Sequence, residues 1–248
     1  MISSMRKVKD LLRNLVAGES SPEPAGREPS AEELDRMQAN LAENLGAWRE
    51  SQYYGQAEPY MKAQWESHVW PLIKDSDFSV TLDLAAGAGR NSDLLKDLSR
   101  ELWIVDINQT NIARCRERFG SYAGPCRLRY AVNDGTSLPM IASGSLTMIY
   151  SFDAMVHFDP QVIRQYIREF ARIMRPGATG FCHHSNYGSF APDPASHWQS
   201  NPHWRSHMTA ALFAEFCREF GLEPTRQVIH SWGGTEDLDC FSCFRRPG

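Results

Sequence analysis

The sequence predicts an α/β fold, a mostly parallel sheet of about seven strands with helices on both faces and an antiparallel hairpin at its end. Three observations predict it. From Asp77 onward, short apolar runs alternate with helical patterns, the texture of successive βα units. The first such run, Val80 to Leu84, passes directly into a turn of small residues, Ala85 to Gly89. The last two runs are separated only by Gly233 to Asp237, too short for a crossover helix, so they must pair antiparallel.

Strands are expected at 79–84, 101–106, 127–132, 146–151, 178–184, 226–232 and 238–245, with helices between most of them. The clearest helix spans Pro160 to Met174. Asp159 suits its N-cap and Pro160 its first position, while Val162, Ile163, Tyr166, Ile167, Phe170 and Ile173 recur on one face. Arg175-Pro176-Gly177 should end it as a turn. A further helix is expected from about Thr209 to Phe220, stopped by Gly221.

Ahead of the sheet, Ser30 followed by Glu33 is a capping-box pattern that opens a helix with the apolar stripe Leu34, Met37, Leu41, Leu45 and Trp48. A second helical stretch from about Pro59 to Val69 completes a helical cap over 30–71, ahead of a main domain over 72–248. Residues 1–17 place Ile2, Met5, Val8, Leu12 and Leu15 at helical spacing among Arg6, Lys7, Lys9 and Arg13. Such a basic amphipathic segment suits docking to a partner or a membrane surface, or ends the chain with no role. Gly18 to Pro29 reads as a linker.

The 248 residues are 42% hydrophobic and 23% charged, the composition of a soluble globular chain with one core. A net charge of −4 gives no overall attraction to nucleic acid or anionic membranes. No apolar run approaches the roughly 18 residues of a membrane span. Nor does the N-terminus read as a signal peptide, so a cytoplasmic location is expected. The six cysteines, Cys115, Cys126, Cys182, Cys217, Cys240 and Cys243, fall largely in apolar segments, which favours reduced thiols. Cys240 and Cys243 sit three apart in a strand and so face opposite sides; with no second pair at zinc spacing, no metal is expected.

The chemistry-bearing segment is Val80 to Asn91, VTLDLAAGAGRN: a strand, a small-residue turn that lets a ligand approach the backbone, then a helix start. It resembles motif I of class I S-adenosylmethionine (SAM) dependent methyltransferases, DxGxGxG, with Asp83, Ala85, Gly87 and Gly89 at the motif positions and Ala85 in place of the first glycine. The resemblance implies a Rossmann-like fold with SAM as cofactor. SAM carries a sulfonium, an ammonium and a carboxylate but no pyrophosphate, so an acidic strand end suits it better than a dinucleotide.

The run Leu102 to Val105 ends at Asp106, followed by Ile107, where an acidic side chain can take both hydroxyls of a ribose. Asn133-Asp134-Gly135 resembles the methyltransferase segment that contacts adenine, with Asp134 toward the amino group; a plain turn role for Asp134 stays open. Phe152-Asp153-Ala154-Met155-Val156-His157 resembles the segment after the fourth strand of small-molecule methyltransferases. There Phe152 and Asp153 would lie near the methionine part of SAM and His157 toward the acceptor.

Beyond the fifth strand, Phe181-Cys182-His183-His184-Ser185-Asn186-Tyr187 leads into a long connection holding His197, Trp198, His203, Trp204, Arg205 and His207, expected to cover the acceptor. This group resembles segments of methyltransferases that modify sugars or bacterial surface polysaccharides, and aromatic faces with polar edges suit a carbohydrate. Phenolic or polyketide hydroxyls and amines remain open as acceptors. A hydroxyl must lose its proton on methylation, and histidine is the natural base. His157 is the first candidate and His184 the second, with Asp153 beside them; of His183 and His184 only one can face the pocket.

Two other readings share part of this pattern. An NAD-dependent oxidoreductase would use the same turn and Asp106, but the third glycine is missing, Ser92 standing in its place. A non-catalytic SAM-binding scaffold would keep Asp83 and Asp106 behind a closed acceptor pocket. Nucleic-acid methylation is disfavoured by the charge and by the absence of a dense Lys/Arg stripe.

Overall fold

The computed structural model describes residues 27–49 and 51–248. The reading of residues 1–17 as an amphipathic segment, and most of the linker, lies outside the described residues.

The sheet has seven strands: β1 (Val80–Leu84), β2 (Glu101–Asp106), β3 (Arg127–Val132), β4 (Leu146–Ser151), β5 (Met174–Ser185), β6 (Glu223–Trp232) and β7 (Thr235–Arg245). Their order is β3-β2-β1-β4-β5-β7-β6. β1 to β5 pair in parallel, and β7 runs antiparallel to both β5 and β6. The strand order therefore reverses between β1 and β4, and the carboxyl ends of these two strands open a crevice where ligands of open α/β sheets bind. The sheet is Rossmann-like, with N-terminal helices added to it.

Burial explains why the inner strands were readable. All six residues of β4 are buried, as both faces of a parallel sheet demand. One face carries Leu82, Leu84, Ile149 and Cys182 against Ile163, Ile167 and Phe170; the other carries Leu102, Ile104, Met148, Tyr150 and Phe181 against Ile73, Ile112 and Phe119. Helix Pro160–Ile173 buries every apolar position that its spacing singled out, and the Asp159 carboxylate accepts the Gln161 N–H at its start.

Arg175-Pro176-Gly177 is not a turn between helix and strand. β5 begins at Met174, and its register against β4 slips between Leu146↔Met174 and Met148↔Thr179, so the breakers bulge out of a strand already under way. Gly177 supplies the positive φ, 81°, that the bulge needs.

The N-terminal helices are α1 (Ala31–Trp48), α2 (Tyr53–Ala57), α3 (Met61–Gln64) and α4 (Trp70–Ile73). α1 opens with the expected capping box: Ser30 Oγ accepts the Glu33 N–H at 3.2 Å, and Glu33 accepts the Ser30 N–H at 2.8 Å. Its inward face differs from the apolar stripe. Leu34 is exposed, whereas Asn40 and Asn44 are buried. Asn40 donates to the His157 carbonyl at 3.1 Å and accepts the Asp159 N–H at 3.0 Å, so it closes two orphaned backbone groups of the 157–159 loop. Asn40 and Asn44 thus share the inward face with Met37 and Leu41 of the stripe. The stretch from 53 to 73 is helical almost throughout, with a 3-10 turn at Glu58–Tyr60 and a π turn at Trp65–Val69.

The remaining helices are α5 (Ser92–Leu95), α6 (Gln109–Arg118), α7 (Pro160–Ile173) and α8 (Ala210–Glu219). No helix among the described residues is long and apolar enough to cross a membrane.

Candidate active site

The turn after β1 is built on left-handed backbone. Ala85, Gly87 and Gly89 have φ of 57°, 55° and 84°. At Gly87 space adds to conformation, because a Cβ there would sit 2.6 Å from Tyr54 Cε1. Gly87 N–H donates to Asp106 Oδ2 at 2.9 Å, which fastens the turn to the end of β2. Asp106 Oδ1 accepts from Asn108 N–H at 2.7 Å and Asn111 Nδ2 at 3.2 Å. Burial raises the Asp106 pKa even though these three bonds favour the carboxylate.

Beside Asp106, the Asn111 amide also donates to Tyr54 Oη at 2.9 Å, while its Oδ1 is buried without a partner. An orphaned acceptor in a cleft wall is a place for a ligand's donor.

A cleft with about 80 Å³ of free space opens above this turn. Of the residues expected from sequence, Ala85, Gly87, Asp106, Ile107, Phe152, Asp153 and His157 line it. Trp48, Tyr53 and Tyr54 line it from the N-terminal helices, and Arg90 from the turn.

Asp83, Gly89, Asn133, Asp134 and Gly135 do not line the cleft. Asp83 lies beneath the turn, where its Oδ2 accepts the Ser92 hydroxyl at 2.6 Å, and burial pushes it up to about 7. Gly89 packs toward Phe119 and Cys115. Asn133 is turned to Tyr166 Oη and the Ser137 carbonyl. The Asp134 carboxylate accepts the N–H groups of Thr136 and Ser137 at 2.8 and 2.7 Å, an exposed turn cap. Gly135 gives room to Leu41 of α1 and to Ile107.

His184 is also turned away. It stacks on Phe213 of α8 at 4.4 Å and bonds Ser242 Oγ at 2.8 Å, on the sheet face opposite the cleft. Alternation along β5 instead puts His183 behind Asp153: its Nδ1 accepts the Asp153 N–H at 3.2 Å, and its Nε2 donates to Asp239 Oδ2 at 3.0 Å.

Asp153 has φ of 60°, unusual for a residue other than glycine. Its carboxylate accepts from Arg90 at 2.9 Å and from the Tyr53 hydroxyl. Burial alone would raise its pKa, but the Arg90 charge and the hydrogen bonds from Tyr53 and Arg90 outweigh that and hold it below the ordinary carboxylate value.

His157 Nδ1 donates to the Trp204 carbonyl at 2.8 Å, and no hydrogen bond engages Nε2 among the described residues. The ring packs against Trp48 at 4.8 Å. It lines both the cleft and an adjoining cavity of about 200 Å³, bounded also by Trp48, Tyr53, Asp153, His203, Trp204, Arg205 and Trp232. Burial, ahead of the nearby Arg205 charge, pushes His157 down to about 4, so the ring is neutral with a free lone pair at physiological pH.

This has a consequence for stability. His157 and His184 both fall to about 4 in the fold, from an ordinary value near 6.5. Between those values the unfolded chain binds more protons, so stability is full above pH 6.5 and is lost as the pH falls toward 4. By pH 5 the loss should reach about 2 kcal/mol for each ring. Asp83, raised to about 7, works in the opposite sense over this range, so the check is chemical unfolding at pH 7 and pH 5 of wild type beside His184→Gln, and a loss no smaller in the variant would refute the burial assigned to that ring.

Arg90 and Asn111 were not singled out from sequence. Arg90 stands inside the turn motif itself, and Asn111 lies five residues past Asp106 on the first turns of α6, so both positions were within reach of the motif argument. Trp232 and Asp239 carry no such signal, because strand pairing alone brings them to the site.

A family model for a methyltransferase domain matches residues 81–177, the segment from β1 into β5 that holds the turn, Asp106, Asp153 and His157. A curated protein of Mycolicibacterium smegmatis, named Probable S-adenosylmethionine-dependent methyltransferase, is 25% identical over 160 residues, which make up 64% of this chain and 58% of that protein. The chain thus spans 58% of the length of that relative.

Solved structures share the fold at low identity. Geranyl diphosphate C-methyltransferase from Streptomyces coelicolor, solved with Mg2+, geranyl diphosphate and S-adenosyl-L-homocysteine, superposes with a TM-score of 0.61 at 14% identity, covering 88% of this chain and 100% of that one. N-methyltransferase NodS from Bradyrhizobium japonicum, also solved with S-adenosyl-L-homocysteine, gives 0.61 at 14% identity over 86% and 98%. Sheet order and matched model agree: residues 81–177 match a methyltransferase domain, and the sheet has the Rossmann-like methyltransferase fold of these solved neighbours.

Proposed function

We propose that the protein transfers a methyl group from SAM to a hydroxyl of a small-molecule acceptor, a sugar or surface-polysaccharide residue, with His157 as general base. The observation that carries this reading is the position of His157, whose Nε2 is unengaged and whose ring borders both the cofactor cleft and the adjoining cavity.

The cleft residues suit the cofactor at each end. Asp106 and the orphaned Asn111 Oδ1 are acceptors for a nucleoside's hydroxyl or amino donors. At the other end, Arg90 offers a cation to a carboxylate, and Asp153 an anion to an ammonium. Bound there, SAM supplies an electrophilic methyl whose C–S electron pair leaves with sulfur as the acceptor oxygen bonds to carbon.

The chain's own part is positioning and proton transfer. Trp48, Trp204 and Trp232 offer ring faces on which a pyranose can lie, and Asp153 and His203 offer polar edges. His157 takes the hydroxyl proton on Nε2 while Nδ1–H stays on the Trp204 carbonyl, which fixes the tautomer. A weakly basic imidazole is sufficient, because the oxygen becomes strongly acidic as its bond to carbon forms.

The fold does not choose the atom methylated, since it also serves a C- and an N-methyltransferase. Calorimetric titration with SAM, S-adenosylhomocysteine and NAD tests the cofactor, and a panel of methyl glycosides and nucleotide sugars with labelled SAM tests the acceptor. Binding of the first two ligands but not NAD is expected, with label transferred to a sugar. NAD binding alone, or transfer confined to amines, would overturn the reading.

A further inference from the structure

Asp239 of β7 is fully buried, with its two oxygens shared by two side chains from different parts of the chain. Arg205 grips it with both fork nitrogens, Nε to Oδ1 at 2.7 Å and Nη2 to Oδ2 at 2.6 Å. His183, on the neighbouring strand, donates Nε2–H to Oδ2 at 3.0 Å.

Each partner passes the constraint on. Through Nδ1, His183 accepts the backbone N–H of Asp153, the residue held at φ 60°. Arg205 donates Nη1 to the His203 carbonyl at 3.0 Å, inside a segment where His203 and Trp204 have φ of 48° and 57°. The carbonyl of Trp204, next to Arg205, holds His157 Nδ1.

Three non-glycine residues in left-handed backbone therefore lie within a bond or two of one carboxylate, and all three bound the acceptor cavity. Such backbone is strained and persists only where its surroundings over-determine it. A buried ion pair kept for stability alone has no reason to converge on strained residues around one cavity.

We propose that Asp239 is a positioning residue: a single buried carboxylate that sets Asp153 through His183, and His157 through Arg205 and the Trp204 carbonyl, against the acceptor cavity. Its effect on turnover rests on the methyl-transfer reading above; its hold on the two histidines does not. Neutralising it should misplace the base and the Asp153 carboxylate together, and with Asp153 its partner Arg90, while Asp106 keeps its own bonds to Gly87, Asn108 and Asn111.

The test uses full-length protein with 15N-labelled histidine, wild type beside Asp239→Asn and Arg205→Lys. Wild type should show His183 protonated on Nε2 and His157 on Nδ1. Asp239→Asn sets an amide against three donors, so His183 should shift toward the Nδ1-protonated tautomer and the His157 Nδ1–H should exchange faster with solvent. Arg205→Lys keeps the charge but not the fork, so it should loosen His157 and spare His183; it also serves if the Asn variant does not fold.

With the best acceptor from the sugar panel, both variants should lose turnover by about 10²-fold at saturating substrate; S-adenosylhomocysteine affinity should fall in Asp239→Asn, which releases Asp153, and stay near wild type in Arg205→Lys, which spares His183 and Asp153. Histidine tautomers and exchange identical to wild type in both variants would overturn the proposal, as would turnover that falls only in proportion to unfolded protein. If the wild type binds no SAM and methylates nothing, the methyl-transfer reading fails, and the histidine signals still decide whether Asp239 is the anchor.

Discussion

Replacing His157 with alanine should lower turnover by about 10²–10⁴-fold while SAM binding stays near that of the parent. The separation is the informative part. His157 meets the cleft at the edge shared with the acceptor cavity and makes no bond to the turn after β1 or to Asp106. Because alanine also removes a ring packed on Trp48, the partner variant is His157→Asn, whose amide can still donate to the Trp204 carbonyl but offers no base. Equal losses in the two assign the effect to proton transfer. A slow alanine variant beside an active asparagine variant would assign it to packing, and normal turnover in both would remove His157 from the chemistry.

Asp106→Ala should weaken SAM binding by about 1–3 kcal/mol, roughly 5- to 150-fold, through the loss of an ionised acceptor for paired hydroxyls. The substitution also strips a partner from the Gly87 and Asn108 N–H groups and from the Asn111 amide, so part of the loss should arise from a loosened turn. Asp106→Asn separates the two, because it keeps one oxygen for the backbone while giving up the charge. The comparison is made by calorimetry, with thermal unfolding alongside to count the folded fraction. Unchanged affinity in both variants would remove Asp106 from the cofactor site.

The parallel part of the fold could be read from the sequence because strands covered on both faces must be apolar at every position, as β4 is, and because breakers stand between them. What escaped was set by contacts between distant segments. No periodicity announces that α1 turns Asn40 and Asn44 inward, since the reason is the loop carbonyl of His157 more than a hundred residues away. The bulge at Arg175–Gly177 was legible as a break but not as one inside a strand, because the partner register decides that.

At the site, the turn, Asp106, Asp153 and His157 could be placed because each directly follows a strand whose end was legible. Asp134 and His184 could not. Whether an aspartate after a strand caps its own turn or faces the cleft, and which of two adjacent histidines points inward, depend on backbone orientation at single residues. Asp239 was invisible because nothing local distinguishes a strand aspartate that meets Arg205 and His183 from one that meets water.

The three tryptophans around the acceptor cavity come from the end of α1, the segment before α8 and the end of β6, whereas the Gly87–Asp106 end of the cleft is made by the ends of β1 and β2. On the proposed reading, Trp204 and Trp232 serve the recipient alone, whereas Trp48 borders the cleft as well. A lineage, or a designer, could then retool what is methylated by varying positions 204 and 232 while the inherited machinery for the donor stays intact.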